Sequence, residues 1–175
     1  MENATRQKLA AVAREKALKP FHGYLEGQGS NLAPVIRHFP KWTLKDADKL
    51  WCAAFVYYCC IEAGFVIPYR PDECITCHLA GCLGWEEYAV RDARIAYHRR
   101  EAAFWPGAGN IVLYDRVFIG QEHDHIGIVL EAENGVLAAA EGNVGNKSGI
   151  IYRPIDGHIR AYIRIPDGYQ YESAV

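Results

Sequence analysis

The chain is expected to adopt an α+β fold, with helices first and an antiparallel sheet after them, and three observations predict it. Up to about residue 100 the apolar residues recur at helical spacing, whereas from Asn110 onward they fall in short blocks of strand length. Asn134-Gly135 separates two of these blocks as a two-residue hairpin turn. Helices followed by a meander of strands form an α+β domain rather than alternating βαβ units. The 175 residues, half of them hydrophobic and 23% charged, suffice for one domain with a real core.

The elements follow in order. Leu9, Val12 and Ala13 repeat at helical spacing before Pro20, which predicts an N-terminal amphipathic helix. Gly, Ser, Asn and Pro crowd residues 23–40, so a loop with short helical turns is expected there. Asp46 and Asp48 cap or precede a helix over residues 50–63, with Gly64 as its C-terminal stop. Phe55, Val56, Cys59, Cys60 and Ala63 give that helix a broad apolar stripe. Pro68 and Pro71 enforce an irregular stretch. A further helix is expected over residues 85–97, with Tyr88, Ala89, Ala93 and Ala96 on one side. Strands are expected over 110–115, 125–131, 135–140, 150–153 and 159–165, with Asp156-Gly157 as a second hairpin signal. Residues 167–175 read as a loosely held tail.

Charge narrows the function classes. The net charge is −2, which advertises neither nucleic acid nor an anionic membrane as a partner. Arg91, Arg94, Arg99 and Arg100 are interleaved with Asp92 and Glu101, the pattern of a solvated helix face. No stretch approaches the ~18 apolar residues of a membrane span. Residues 1–19 are charged throughout and do not read as a secretory signal, so action outside the cell would need another export route or a signal outside this sequence. Nothing in the sequence sets an oligomeric state.

The chemistry centres on Cys52, in Trp51-Cys52-Ala53-Ala54-Phe55-Val56. A thiol in the first turn of a buried helix meets free backbone N–H groups and the positive end of the helix dipole, both of which favour the thiolate. Some seventy residues later come His125, at the start of a strand, and then Glu141-Gly142-Asn143, at the end of the next. Thiol, distant imidazole, then carboxylate or amide is the set a cysteine acyl-transfer enzyme needs: a nucleophile, a base, and a group that fixes the base's tautomer. Adjacent antiparallel strands bring such side chains within reach. Glu141 and Asn143 share strand parity, so either can orient His125. His123, also of the same parity, is a rival base; the apolar strand directly after His125 favours the latter. Trp51, Trp42 and Tyr114 are candidates to line a substrate groove.

Trp51-Cys52-Ala53-Ala54-Phe55-Val56, Pro106-Gly107 before a strand, His125-Ile126-Gly127-Ile128-Val129 and Glu141-Gly142-Asn143 together resemble the CHAP family of cysteine amidohydrolases and peptidases, kin of the NlpC-type cell-wall peptidases. The resemblance covers roughly residues 41–166, leaving residues 1–40 as a helix-and-loop extension. It implies a papain-like arrangement, in which N-terminal helices including the nucleophile helix pack on a C-terminal antiparallel sheet. It also implies cleavage of amide bonds in peptidoglycan, at the muramoyl–alanine junction or within stem or bridge peptides, without cofactor or metal. By position, Cys52 resembles the nucleophile, His125 the base, Glu141 the orienting acid and Asn143 the amide that completes the site. The family's Pro-Gly-Asp turn departs here to Pro106-Gly107-Ala108-Gly109-Asn110, and no wall-binding domain is expected within these 175 residues. The implied site of action is the cell wall or the extracellular space, with the cytoplasm as the alternative and the export route open. A non-wall peptide substrate, a toxin or phage lysin, and a non-catalytic binding module on the same fold are the alternatives.

The remaining cysteines point elsewhere. Cys59 and Cys60 are expected in the core as thiols. Cys74, Cys77, His78 and Cys82 are four potential zinc ligands, but ligands packed into nine residues close a tetrahedron poorly, so packing or loop roles are expected.

Overall fold

A computed structural model describes residues 4–173. Five helices precede or flank a six-stranded sheet: α1 (Ala4–Leu18), α2 (Ala33–Ile36), α3 (Leu44–Ala47), α4 (Cys52–Ala63), α5 (Cys82–Arg91), β1 (Ala96–Arg99), β2 (Ile111–Tyr114), β3 (His125–Glu133), β4 (Val136–Val144), β5 (Lys147–Pro154) and β6 (Ile159–Arg164). The spatial order is β1-β6-β2-β3-β4-β5, and every pairing is antiparallel.

α4 is the central helix. Residues 53–60 are buried without a break, so it is apolar all round rather than amphipathic, as a helix enclosed on all sides must be. It lies against β3 and β4 and is covered by α1. Gly64 ends it in the left-handed conformation (φ 101°), its N–H returning to the last turn. Thr43 and Asp46 close a reciprocal capping box on α3, just ahead of the segment that carries Cys52.

Alternation divides the sheet's side chains between two cores. Ile111 and Leu113 join the large cluster on the helical side, and Val112 and Tyr114 a smaller cluster with Val129, Ala139 and Tyr162. The large cluster runs from Leu9 to Tyr169, so both the N-terminal extension and the C-terminal segment enter it.

Several expectations need correction. The helix predicted over 85–97 ends at Arg91, and Ala96–Arg99 is an edge strand paired with β6. Asp92 stops it: its carboxylate accepts from the Arg94 backbone N–H at 3.0 Å, a local bond that competes with continued helix. Arg99 accordingly lies on a strand, and Arg94 pairs with buried Asp92 rather than lining a helix face. Asp156-Gly157 makes no hairpin, because β5 is an edge and β6 pairs on the far side, with β1 and β2. Asp156 instead accepts from the His158 N–H within the connection. The segment read as a loose tail is anchored: Tyr169 donates to Asp92 at 2.6 Å, and the Tyr171 hydroxyl accepts from the Asp72 N–H. The end of that segment, 174–175, lies outside the described residues. Among the described residues, no helix is long and apolar enough to cross a membrane.

Candidate active site

Cys52 is the first residue of α4, and Trp51 before it is the N-cap. Trp51 holds this junction. Its indole N–H donates to Asn146 Oδ1 at 2.9 Å, and the same oxygen accepts from the Lys49 N–H. Asn146 Nδ2 donates to Asp48 and to the Tyr24 carbonyl. A single buried amide in the β4–β5 turn thus ties down the segment that leads into Cys52.

His125 opens β3 opposite Tyr114, which closes β2. The hairpin turn at Asn134-Gly135, both residues at positive φ, returns the chain so that β4 brings Glu141 alongside. His125 Nε2 donates to Glu141 Oε2 at 2.8 Å, with both residues at 1% exposure or less. That bond leaves Nδ1 as the ring nitrogen free to serve Cys52, which lines the same cleft as His125 and interacts with it electrostatically. Tyr114 stacks on one side of the His125 ring, and Phe118 meets it edge-on at 4.7 Å. The ring's plane is therefore set by packing as well as by hydrogen bonding.

Two glycines permit this assembly. A Cβ on Gly142 would lie 2.6 Å from Phe55 Cβ and 2.8 Å from Trp51 Cζ3, so only glycine lets β4 press against the first turn of α4. A Cβ on Gly127 would meet Glu141 Cγ at 2.8 Å. The glycines of the His-x-Gly and Glu-Gly-Asn motifs thus serve close approach.

Arg153, on β5, completes the row. Its Nε and Nη2 donate to the two oxygens of Glu141 at 2.8 and 2.7 Å, a two-pronged clamp. Thiolate, imidazolium, carboxylate and guanidinium then alternate in sign and sum to zero, which offsets the cost of burying each. Burial opposes ionisation of Glu141, but the hydrogen bonds from Arg153 and then His125 hold its pKa below the usual carboxylate value. For His125, burial again acts against charge, yet bonds to Cys52 and Glu141 raise its pKa to about 9. The Cys52 thiol is lowered to about 5, first by a hydrogen bond from Cys82, against burial, and then by His125. At neutral pH the proton resides on the imidazole.

The thiol lies on the floor of a cleft of about 440 Å³. Leu50, Phe118 and Ile119 form an exposed apolar rim, and Lys49, His123, Asp124 and Asn143 supply polar groups. The loop bearing Phe118 and Ile119 is held by Asp124, whose carboxylate accepts from the N–H groups of residues 117, 118 and 119.

Of the predicted site residues, Cys52, His125 and Glu141 converge. Asn143 does not orient the histidine. The β4–β5 register shifts between Glu141 and Val144, Asn143 turns to φ 62°, and its amide donates to the Lys49 carbonyl at 2.8 Å on the cleft wall. The parity argument fails because a bulge breaks the alternation. Trp51 and Tyr114 do not line the groove; both are fully buried, as scaffold for α4 and the imidazole. Trp42 packs on Phe39 and His78. His123 also leaves strand parity (φ 56°), and its ring bonds Glu86, itself held by Arg160 at 2.7 Å. The altered turn after Pro106 closes on itself, with Asn110 Oδ1 accepting from the Gly107 N–H at 2.8 Å.

Arg153, Glu86 and Cys82 were not singled out for the site in the sequence. Arg153 had a usable signal: a cation on the strand after Glu141, where a buried carboxylate needs a partner. No protein-family model matches the chain, and no curated protein matches it.

Proposed function

We propose that this protein is a cysteine hydrolase of amide bonds, with the papain-like arrangement of its helices and sheet, acting on bacterial cell-wall peptides. The observation that carries the reading is the series Cys52, His125, Glu141 and Arg153, in which the buried His125–Glu141 pair is clamped by Arg153 and Cys52 and His125 line one cleft. A thiol whose pKa is lowered to about 5 beside an imidazole oriented by a buried carboxylate has little structural purpose, and perturbed groups of this kind concentrate at reactive sites.

The Cys52 thiolate attacks the amide carbonyl. Backbone N–H groups of the first turn of α4, which have no intrahelical acceptor, are suited to the developing oxyanion; one such donor is typically worth ~10²–10³ in rate. The imidazolium of His125 passes its proton to the departing amine, leaving a thioester. Neutral His125 then takes a proton from water, which attacks the thioester and frees the acid. Throughout, Glu141 holds the proton on Nε2, so that Nδ1 faces the sulfur.

The wall substrate rests on the motif resemblance. A second reading, a non-wall peptide, is favoured by the apolar rim: Leu50, Phe118 and Ile119 are 68%, 50% and 66% exposed beside the thiol and suit an apolar side chain. Mass spectrometry of products from purified peptidoglycan, muropeptides and an unrelated protein digest decides between them. New amine and carboxylate ends in wall fragments, absent with Cys52→Ala, are expected. Cleavage of the digest alone would move the substrate to the second reading, and equal products from Cys52→Ala would end both.

A further inference from the structure

Of the six free thiols, Cys59 and Cys60 are sealed in the core, and Cys74 donates to the Gly84 carbonyl at 3.3 Å. Cys82 is placed differently. It is the first residue of α5 as Cys52 is of α4, so two helix starts face each other across the cleft floor, with the sulfurs 3.8 Å apart. Both residues line the cleft. Amide hydrolysis makes no use of a second thiol's capacity to be oxidised, and a disulfide at about 2.05 Å needs the sulfurs to close by only about 1.8 Å, the scale of side-chain rotation.

We propose that Cys82 is a resolving thiol for Cys52: a hydroperoxide oxidises the nucleophile, and a Cys52–Cys82 disulfide then forms, switching the hydrolase off until a dithiol reduces it. The inference rests on the reading of Cys52 as an ionised nucleophile. In the first step the thiolate attacks one oxygen of hydrogen peroxide. An S–O bond forms, the O–O bond breaks, and hydroxide leaves as water with the proton from His125. Sulfur loses two electrons to the peroxide and becomes a sulfenic acid. In the second step Cys82 gives its proton to the now neutral His125 and attacks the Cys52 sulfur. The S–S bond forms, the S–O bond breaks, and hydroxide leaves with that proton as a second water. Two thiols and one peroxide give one disulfide and two waters. Without a neighbouring thiol, a second peroxide would oxidise the sulfenic acid to the irreversible sulfinic acid. Cys82 thus protects the nucleophile as well as silencing it.

The test uses the whole protein, stoichiometric hydrogen peroxide and a thiol-alkylating quench in denaturant, which opens the buried thiols to the label, followed by non-reducing chymotryptic mapping. Cleavage after Trp51, Phe55, Leu79 and Leu83 isolates Cys52 in peptide 52–55 and Cys82 in peptide 80–83. The expected result is these two peptides joined, four thiols labelled in place of six, and all six regained with dithiothreitol. Activity should fall and return in step with the labels. Cys82→Ser, given a several-fold molar excess of peroxide, should instead carry Cys52 to sulfinic or sulfonic acid that dithiothreitol does not reverse. Wild-type protein with Cys52 over-oxidised and Cys82 still alkylated, or with Cys82 joined to Cys77, would overturn the proposal whether or not the variant folds. The map needs no substrate: a protein that forms the link but cleaves no amide contradicts the hydrolase reading and leaves the resolving pair standing.

Discussion

His125 Nε2 and Glu141 Oε2 lie 2.8 Å apart with neither residue more than 1% exposed, and this bond decides which nitrogen faces the sulfur. A carboxylate on Nε2 keeps a proton there in either charge state of the ring, so Nδ1 alone exchanges protons with Cys52. Arg153 keeps that carboxylate charged by filling its remaining acceptor sites.

The pH dependence follows. kcat/KM should form a plateau with an acid limb near pH 5, where Cys52 protonates, and an alkaline limb near pH 9, where His125 loses its proton; both limbs belong to the coupled pair. Stability is linked to the same groups. The His125 contribution is complete below its ordinary value of 6.5 and is lost as pH rises through about 9. The Cys52 contribution is complete above 9.0 and is lost as pH falls through about 5. Rate and denaturation profiles from pH 4 to 10 check this.

Glu141→Gln removes the anion between two cations. The alkaline limb should move down from about 9 toward 6.5, with a rate loss of roughly 10²-fold or more. Stability should fall by about 3–5 kcal/mol, because Arg153 is left without its counter-charge. A pH–rate profile and urea denaturation of the same variant separate the two effects.

Asn143→Gly serves as the contrast. Glycine accepts φ 62° without strain while the bond to the Lys49 carbonyl is lost, so stability should change by no more than ~1 kcal/mol. Both pH limbs should stay in place. His123→Ala should likewise retain the alkaline limb, and His125→Ala should lose turnover. A downward shift of the limb in Asn143→Gly would reassign the orienting role.

What the sequence made legible was whatever local rules control. The α4 segment declares itself by a continuous apolar run ending at Gly64, and the pairing of β3 with β4 by Asn134-Gly135, so Cys52, His125 and Glu141 could be named before their geometry was known. The rest depends on tertiary paths. Cys82 reaches Cys52 through the irregular stretch between α4 and α5, where no periodicity sets direction. Asn143 is diverted by a bulge that alternation does not announce, and β6 crosses to the far side of the sheet in spite of a turn signal. Trp51 and Tyr114 are groove candidates by position, but large aromatics lie more often in the core, and the core claimed them.

Gly142→Ala tests the close approach. The added methyl meets Phe55 and Trp51 at under 3 Å, so β4 must withdraw from α4. Denaturant unfolding should report a loss of roughly 1–3 kcal/mol, with a fall in turnover as the Glu141 strand shifts.

The rate of Cys52 alkylation by iodoacetamide against pH, read in peptide 52–55, tests the ionised nucleophile most directly. The account predicts half-maximal reactivity near pH 5 and a plateau through neutrality. Half-maximal reactivity at the ordinary thiol value of 9.0 would contradict it.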